Sequence, residues 1–447
     1  MSKSPLRPAR DRTPPWRYPY GMTRIDDPFT LPCGLTLRNR LAKAAMTEQL
    51  AGPDGAPDAR HRRLYRTWAE GGLGLSITGN VMVDARYPEH PQNVSLDGAY
   101  DAGAFRAWAE AAQADGTACL VQLSHAGRQS PKSVAPVPVG PSAMAVDLPG
   151  GQFGMPRALT GEEIEDVIAR FVRAAQACAA AGFAGVQIHA AHGYLISSFL
   201  NPRVNRREDQ WGGPLENRAR LLLRVTEGVR AAVPSGFAVA VKLNSSDFQR
   251  GGLSTGDSLT VAGWLAERGV DLLEVSGGSY EQPAMMDMDG MEARHEDAKR
   301  DSTRRREAYF LEFAEAVRER CAVPLMVTGG FRSRAGMDAA LAEGACDVIG
   351  MARPLCVEPD LPARLLSGAA ASVPSYEKRL ALGPGPLSPK ASSDTIRTLN
   401  GFAVMSFFYE NIRRMALGEV PKPRMVLLGA FVRGQVRAAR AAKARAA

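Results

Sequence analysis

The stretch "IHAAHGYLISSFLNP", Ile188 to Pro202, sets two imidazoles and a phenol close together as His189, His192 and Tyr194. Such groups hold protons and donate hydrogen bonds near neutral pH. The apolar run "GVQIHA" that leads into them reads as a buried strand. Side chains alternate across a strand, so His189 and His192 would face opposite sides if the strand continued. For both to serve one site, the chain must leave the strand near Ala190 or Ala191.

The same theme of an apolar run, a loop and a helix-period segment recurs along the chain. Strand candidates are 41–46, 73–83, 119–125, 185–190, 238–244, 272–278, 324–330 and 347–352. Thr160 with Glu163 forms a capping box ahead of an Ala-rich amphipathic helix, and Gly182 stops it. "ENRARLLLRVTEGVRAAV" is a second helix, with Leu221, Leu222 and Val225 on one stripe. Eight apolar strands, each followed by a crossover, specify a parallel sheet covered on both faces. The expected α/β fold is a (β/α)8 TIM barrel with its site at the C-terminal strand ends. A doubly wound open sheet is the alternative, but the G-x-G-x-x-G turn that would favour it is missing. Residues 126–158 read as a hairpin or lid over the mouth, and 278–304 as a mobile loop on the same side. The expected division is a basic tail (1–24), a barrel (25–370) and a C-terminal extension with short helical patches ending in a basic tail (371–447).

The net charge is +8 over 447 residues, but it is unevenly spread. Residues 1–24 and 424–447 together contribute +11, so the body sums to −3. Basic ends read as solvated extensions, so neither nucleic acid nor stable membrane insertion is expected. None of the six cysteines (Cys33, Cys119, Cys178, Cys321, Cys346, Cys356) has C-x-x-C spacing, which argues against a thiolate metal site or an iron–sulfur cluster. The Pro- and Arg-rich start lacks the apolar segment of a secretory signal, and no apolar run is long enough to span a bilayer. A cytoplasmic enzyme acting on a small molecule is the expectation, with the oligomeric state open.

"HAAHGYLISSFLNPRVNRREDQWGGPLENRARLLL" resembles the signature of the Old Yellow Enzyme family of FMN-dependent oxidoreductases. "NRLAKAAMT", "VQLSHAGR", "VKLN", "SGG", "TGGF" and "GMARPL" recur at successive strands in the family's order, so the resemblance covers roughly residues 25–370. It implies FMN as cofactor, NADH or NADPH as electron donor, and reduction of the activated C=C bond of α,β-unsaturated carbonyl or related electron-poor compounds. His189 and His192 would grip the substrate oxygen and Tyr194 would donate the proton. A specialised dehydrogenase, demethylase or nitro-compound reductase on the same barrel is an alternative. A non-catalytic FMN- or anion-binding sensor is another, of a different class.

The cofactor side follows from the same matches. Gly329, Gly330, Phe331, Gly350, Met351 and Arg353 form the loops that would hold a phosphate with backbone N–H groups and a guanidinium. Lys242 lies in an apolar strand, where an unpaired ammonium is costly, so an anionic partner is expected. The resemblance sets this cation against the flavin N1/O2 edge, where Arg is common. It sets Gln122 against the pyrimidine, and Thr47, beside Met46, near O4/N5. Ala45 stands where Pro is frequent, and Asn80 where Gly or Ala is frequent. Asn80 would donate to the O4/N5 side or narrow the substrate pocket. Trp211 replaces a commoner Tyr. His61, His90, His125 and His295 lack such support, and His125, Gly127 and Arg128 read as a structural loop beside the mouth.

Overall fold

A computed structural model describes residues 23–148, 151–247, 250–277 and 311–446. Eight parallel strands form the barrel: β1 (Leu41–Lys43), β2 (Leu75–Met82), β3 (Ala118–Ser124), β4 (Gly185–Ala190), β5 (Ala238–Asn244), β6 (Leu272–Ser276), β7 (Leu325–Thr328) and β8 (Val348–Met351). Each pairs with its sequence neighbours, and β1 pairs with both β2 and β8, which closes the sheet. Closure excludes the open doubly wound sheet. β4 and β5 coincide with the expected runs, whereas β1 is shorter than 41–46. There the chain leaves the ladder after Lys43 to line the barrel mouth.

The helices are α1 (Ala59–Glu70), α2 (Ala102–Ala112), α3 (Gly161–Ala180), α4 (Leu195–Leu200), α5 (Leu215–Ala232), α6 (Thr255–Glu267), α7 (Leu311–Arg320), α8 (Arg334–Ala342), α9 (Leu361–Ser367), α10 (Asp394–Ala416) and α11 (Leu427–Ala446). The capping box that starts α3 is formed: Glu163 N donates to Thr160 Oγ1 at 3.2 Å, and Thr160 N donates to Glu163 Oε2 at 2.8 Å. The period-two pattern splits the strand side chains between two cores. Val239, Val241 and Leu243 belong to the large strand–helix cluster. Ala238 and Ala240 belong to a smaller one with Leu75, Leu120, Leu272 and Met326. Phe29 and Leu37, from a short antiparallel pair (Phe29–Thr30 with Thr36–Leu37), and Leu31 from the turn between them join this smaller core. It is therefore a packed plug rather than a pore.

One expectation is narrowed and another corrected. Of the hairpin or lid expected over 126–158, the lid is what forms: Pro131, Met144, Leu148 and Phe153 line the cavity, while the short strands Val139–Gly140 and Arg157–Ala158 pair in parallel rather than as a hairpin. The extension holds long helices rather than short patches: α10 has 23 residues and α11 has 20. The apolar residues of α10 do not make a narrow stripe, because the helix packs against α1 and α11 at once. The C-terminal basic run lies in α11, where Arg445 reaches back to donate to Ala85 O at 2.9 Å and Pro91 O at 3.3 Å. The expected mobile loop 278–304, with His295, and nearly all of the 1–24 tail lie outside the described residues.

Candidate active site

The C-terminal strand ends open into a cavity of about 2250 Å³. Small-molecule pockets usually span about 300–1,000 Å³, so a cofactor and a substrate fit here together. All of the expected site residues line it: Ala45, Met46 and Thr47 after β1, Asn80 on β2, Gln122 on β3 and Lys242 on β5, with His189, His192 and Tyr194 at the end of β4. Gly329, Gly330 and Phe331 after β7, and Gly350, Met351 and Arg353 at β8, complete the ring.

The exit from β4 resolves the problem of facing. His192 adopts φ +63°, a left-handed conformation uncommon outside glycine, and Gly193 follows at +77°. The reversal brings the His189 ring centroid to 5.1 Å from His192 and 4.8 Å from Tyr194. The His192 backbone is held on both sides. Its N–H donates to Asn244 Oδ1 at 3.3 Å, and its carbonyl accepts from Gln129 Nε2 at 3.0 Å. His189 Nδ1 accepts from Ala191 N at 3.2 Å, which leaves the ring proton on Nε2. His192 Nε2 lies 2.6 Å from Ser276 Oγ. Burial, then His192 and Lys242, hold the His189 pKa well below its ordinary value. Burial and Lys242 push His192 down to about 3. Both imidazoles are therefore neutral at pH 7.

Lys242 has its anionic partner inside the protein. Its Nζ lies 3.0 Å from Glu274 Oε1, and both side chains are buried. β5 and β6 place these two residues in direct register. Glu274 also accepts from Thr328 Oγ1 and from Gln187 Nε2, each at 2.7 Å. Gln187 Oε1 in turn accepts from Gln122 Nε2 at 2.7 Å. Sequence reasoning missed Glu274 and Gln187. The signal was present, since a Gln in "GVQIHA" and a Glu in "LLEVS" interrupt apolar strands.

A second carboxylate organises the opposite side. Thr47 Oγ1 donates to Glu89 Oε2 at 2.8 Å, and Asn80 Nδ2 donates to the same oxygen. Asn80 thus spends a donor on Glu89, while its Oδ1, in the cavity wall, is buried without a partner among the described residues. The pairing of β2 with β3 shifts register between Ile77 and Asn80, a bulge just before Asn80. At the bulge, Gly79 N donates to Glu48 Oε1 at 2.8 Å. A Cβ on Gly79 would sit 2.3 Å from Glu48 Oε2 and 2.4 Å from Met46 O, so only glycine fits.

On the phosphate side, Gly329 and Gly330 adopt φ +93° and +85°. Arg332 joins the expected Arg353: their guanidiniums lie 3.4 and 3.7 Å from the buried Glu377. A Cβ on Gly329 would meet nothing within 4 Å, so the loop leaves a cradle open to a ligand. Glycine loops, two guanidiniums, a buried cation and amide groups suit a phosphorylated, electron-accepting heterocycle, and FMN fits this set.

His61 and His125 serve local structure. His61 Nδ1 accepts from Asp58 N at the start of α1, and His125 Nδ1 accepts from Gly127 N. His90 lines the cavity, and burial followed by Arg437 lowers its pKa to about 4. α10 and α11 add a wall that motif reading did not foresee: Phe402, Met405, Tyr409 and Phe431 all face the cavity.

The family model for NADH:flavin oxidoreductase / NADH oxidase matches residues 25–371. The chain belongs to this family. FMN is its cofactor, NADH or NADPH its electron donor, and it is an oxidoreductase. NADH-dependent flavin oxidoreductase iliE of Hypocrea jecorina is 41% identical over 358 residues, covering 75% of this chain and 87% of that protein. The iliE protein of Neonectria sp. is also 41% identical, over 354 residues, but the match spans only 46% of its length. Among solved structures, an Old Yellow Enzyme homologue from Zymomonas mobilis superposes with a TM-score of 0.66 at 26% identity, covering 79% of this chain and 96% of that one. Morphinone reductase gives 0.64 at 27% identity, with 80% and 92% covered. α10 and α11 lie beyond the stretch that the family model matches. Among the described residues, no helix is long and apolar enough to cross a membrane.

Proposed function

We propose that this oxidoreductase reduces the activated C=C bond of α,β-unsaturated carbonyl or related electron-poor compounds. The observation that carries the reading is the convergence of two neutral imidazoles and a phenol, with ring centroids 4.8 and 5.1 Å from His189, on the cavity wall. When bound, FMN reduced by NAD(P)H supplies hydride to the β-carbon of the alkene. Gly329, Gly330, Arg332 and Arg353 would hold its phosphate, and Lys242 and Gln122 its pyrimidine side.

His189 has its Nδ1 committed to the backbone and donates from Nε2 to the substrate oxygen. His192 donates from Nδ1 when the Ser276 hydroxyl donates to its Nε2. Two preorganised donors strengthen as negative charge gathers on that oxygen, which is oxyanion-hole catalysis. Tyr194 is 4% exposed and gives its proton to the α-carbon.

Stopped-flow measurement of the two half-reactions with Tyr194→Phe tests this. Flavin reduction by NAD(P)H should stay within about twofold of wild type. Alkene reduction should slow on the order of 10²–10⁴-fold, the usual worth of a general acid. Equal slowing of both halves would assign the phenol a positioning role and remove it from the chemistry.

A further inference from the structure

Lys242 and Gln122 reach the cavity, whereas Glu274 and Gln187 stand behind them at 0% exposure. A carboxylate only accepts hydrogen bonds, and this one accepts from three groups: Lys242 Nζ, Thr328 Oγ1 and Gln187 Nε2. Because Gln187 must turn its amide nitrogen toward Glu274, its Oε1 faces the other way and takes the Gln122 amide nitrogen. Among the described residues, the Gln122 carbonyl oxygen is left uncommitted. One buried charge therefore orients two amides across three strands and sits 3.0 Å from the ammonium. A lone Lys242 would favour electrons arriving beside it, and a carboxylate at that range cancels part of the pull.

We propose that Glu274 is a positioning residue that partly offsets the charge of Lys242 and orients Gln122 toward the flavin, and so holds the flavin's reduction potential down. This rests on the flavin reading of the cavity. Glu274 touches neither cofactor nor substrate and acts only through its neighbours.

The test is the midpoint potential of the FMN-loaded protein, read by spectral titration against a reference dye, with FMN content measured alongside. Glu274→Gln keeps the shape and removes the charge. The potential should rise, shifting the reduced-to-oxidised ratio on the order of tenfold at a fixed applied potential. Lys242→Met should lower it, and the double variant should return toward wild type. Thr328→Val removes one hydrogen bond to Glu274 without changing charge, and should leave the ratio within about twofold. A Glu274→Gln protein that holds FMN at an unchanged potential overturns the proposal and makes Glu274 a strut. A Thr328→Val shift as large as that of Glu274→Gln also overturns it, because loosening alone would then suffice. Should Glu274→Gln not fold, Lys242→Met/Glu274→Gln is compared with Lys242→Met: a higher potential in the double supports the proposal, and equal potentials overturn it. Wild-type protein that takes up no FMN defeats the flavin reading itself, a result distinct from any potential shift.

Discussion

His192 leaves its strand through a φ of +63°, a conformation that costs of order 1–3 kcal/mol and persists where the surroundings enforce it. Asn244 and Gln129 supply that enforcement by gripping its backbone from two sides. The result is a pair of imidazoles held neutral, so the substrate grip proposed for them is one of N–H donation rather than of cationic charge. A para-substituted phenol mimics an enolate and reports on this directly through a long-wavelength charge-transfer band with the oxidised flavin. Donors aimed at the ionised oxygen favour phenolate over phenol, so the bound phenol should have a lowered pKa. Apparent affinity should rise with pH up to the free phenol's own pKa. A neutral pair has nothing to lose between pH 6 and 8. An imidazolium grip would instead weaken as pH rises through the ordinary histidine value of 6.5. Replacing His189 or His192 by Ala should weaken phenolate binding with FMN content intact, and the double variant should be less than additive because both act on one oxygen. Tight phenolate binding by the double variant would transfer the role to another group near the mouth.

At the scale of elements, the helical hairpin α10–α11 turns an open barrel mouth into a walled cavity. Asn411, fully buried, closes its turn by accepting from Lys422 N at 2.7 Å and donating to Lys422 O at 3.2 Å. At the far end, Arg445 pins α11 to the carbonyls of Ala85 and Pro91, either side of Glu89 in sequence. The hairpin and the carboxylate that organises Thr47 and Asn80 are thus tied together. Tyr409 of α10 lines the cavity, and burial followed by the charge of Glu89 pushes its phenol well above the ordinary range. It stays protonated and acts as a bulky wall. Tyr409→Ala should therefore raise kcat/KM for a bulky enone relative to a small one by about tenfold or more, the scale on which pocket size discriminates. An unchanged ratio, with FMN content and Tm near wild type, would show that the hairpin does not set substrate size.

For the molecule as a whole, cationic side chains gather around the cavity mouth. Residues 25–423 sum to −3, yet Lys132, Arg203, Arg250, Lys390 and Arg397 line the mouth against the carboxylates of Glu89, Asp147 and Glu377. A cationic cleft with low-dielectric walls concentrates its field and steers anions such as NAD(P)H. The Debye length falls from about 30 Å at 0.01 M salt to about 8 Å at 0.15 M. kcat/KM for the nucleotide should accordingly drop several-fold over that range, while kcat at saturation barely moves. A flat salt response would mean that the rim cations are neutralised by their own neighbours and play no part in capture.

The ring of expected site residues came chiefly from the resemblance to the family, whereas the amino-acid sequence alone determined the barrel and most of its strand positions. The reason is that these depend on short-range physics. Apolar runs make buried strands, Thr160 with Glu163 starts a helix, and side chains at C-terminal strand ends face one mouth. It also showed that His189 and His192 had to be reconciled by a turn, although not that His192 itself would take it. Only tertiary structure decided who pairs with whom across long separations. Lys242 meets Glu274 because two parallel strands settle in one register, and no local pattern reports register between strands joined by a helix. Thr47 and Asn80 meet Glu89 because the paired strands β1 and β2 bring their ends side by side. The long helix α10 escaped the periodicity because it buries more than one face, and a helix packed on several sides shows no single stripe.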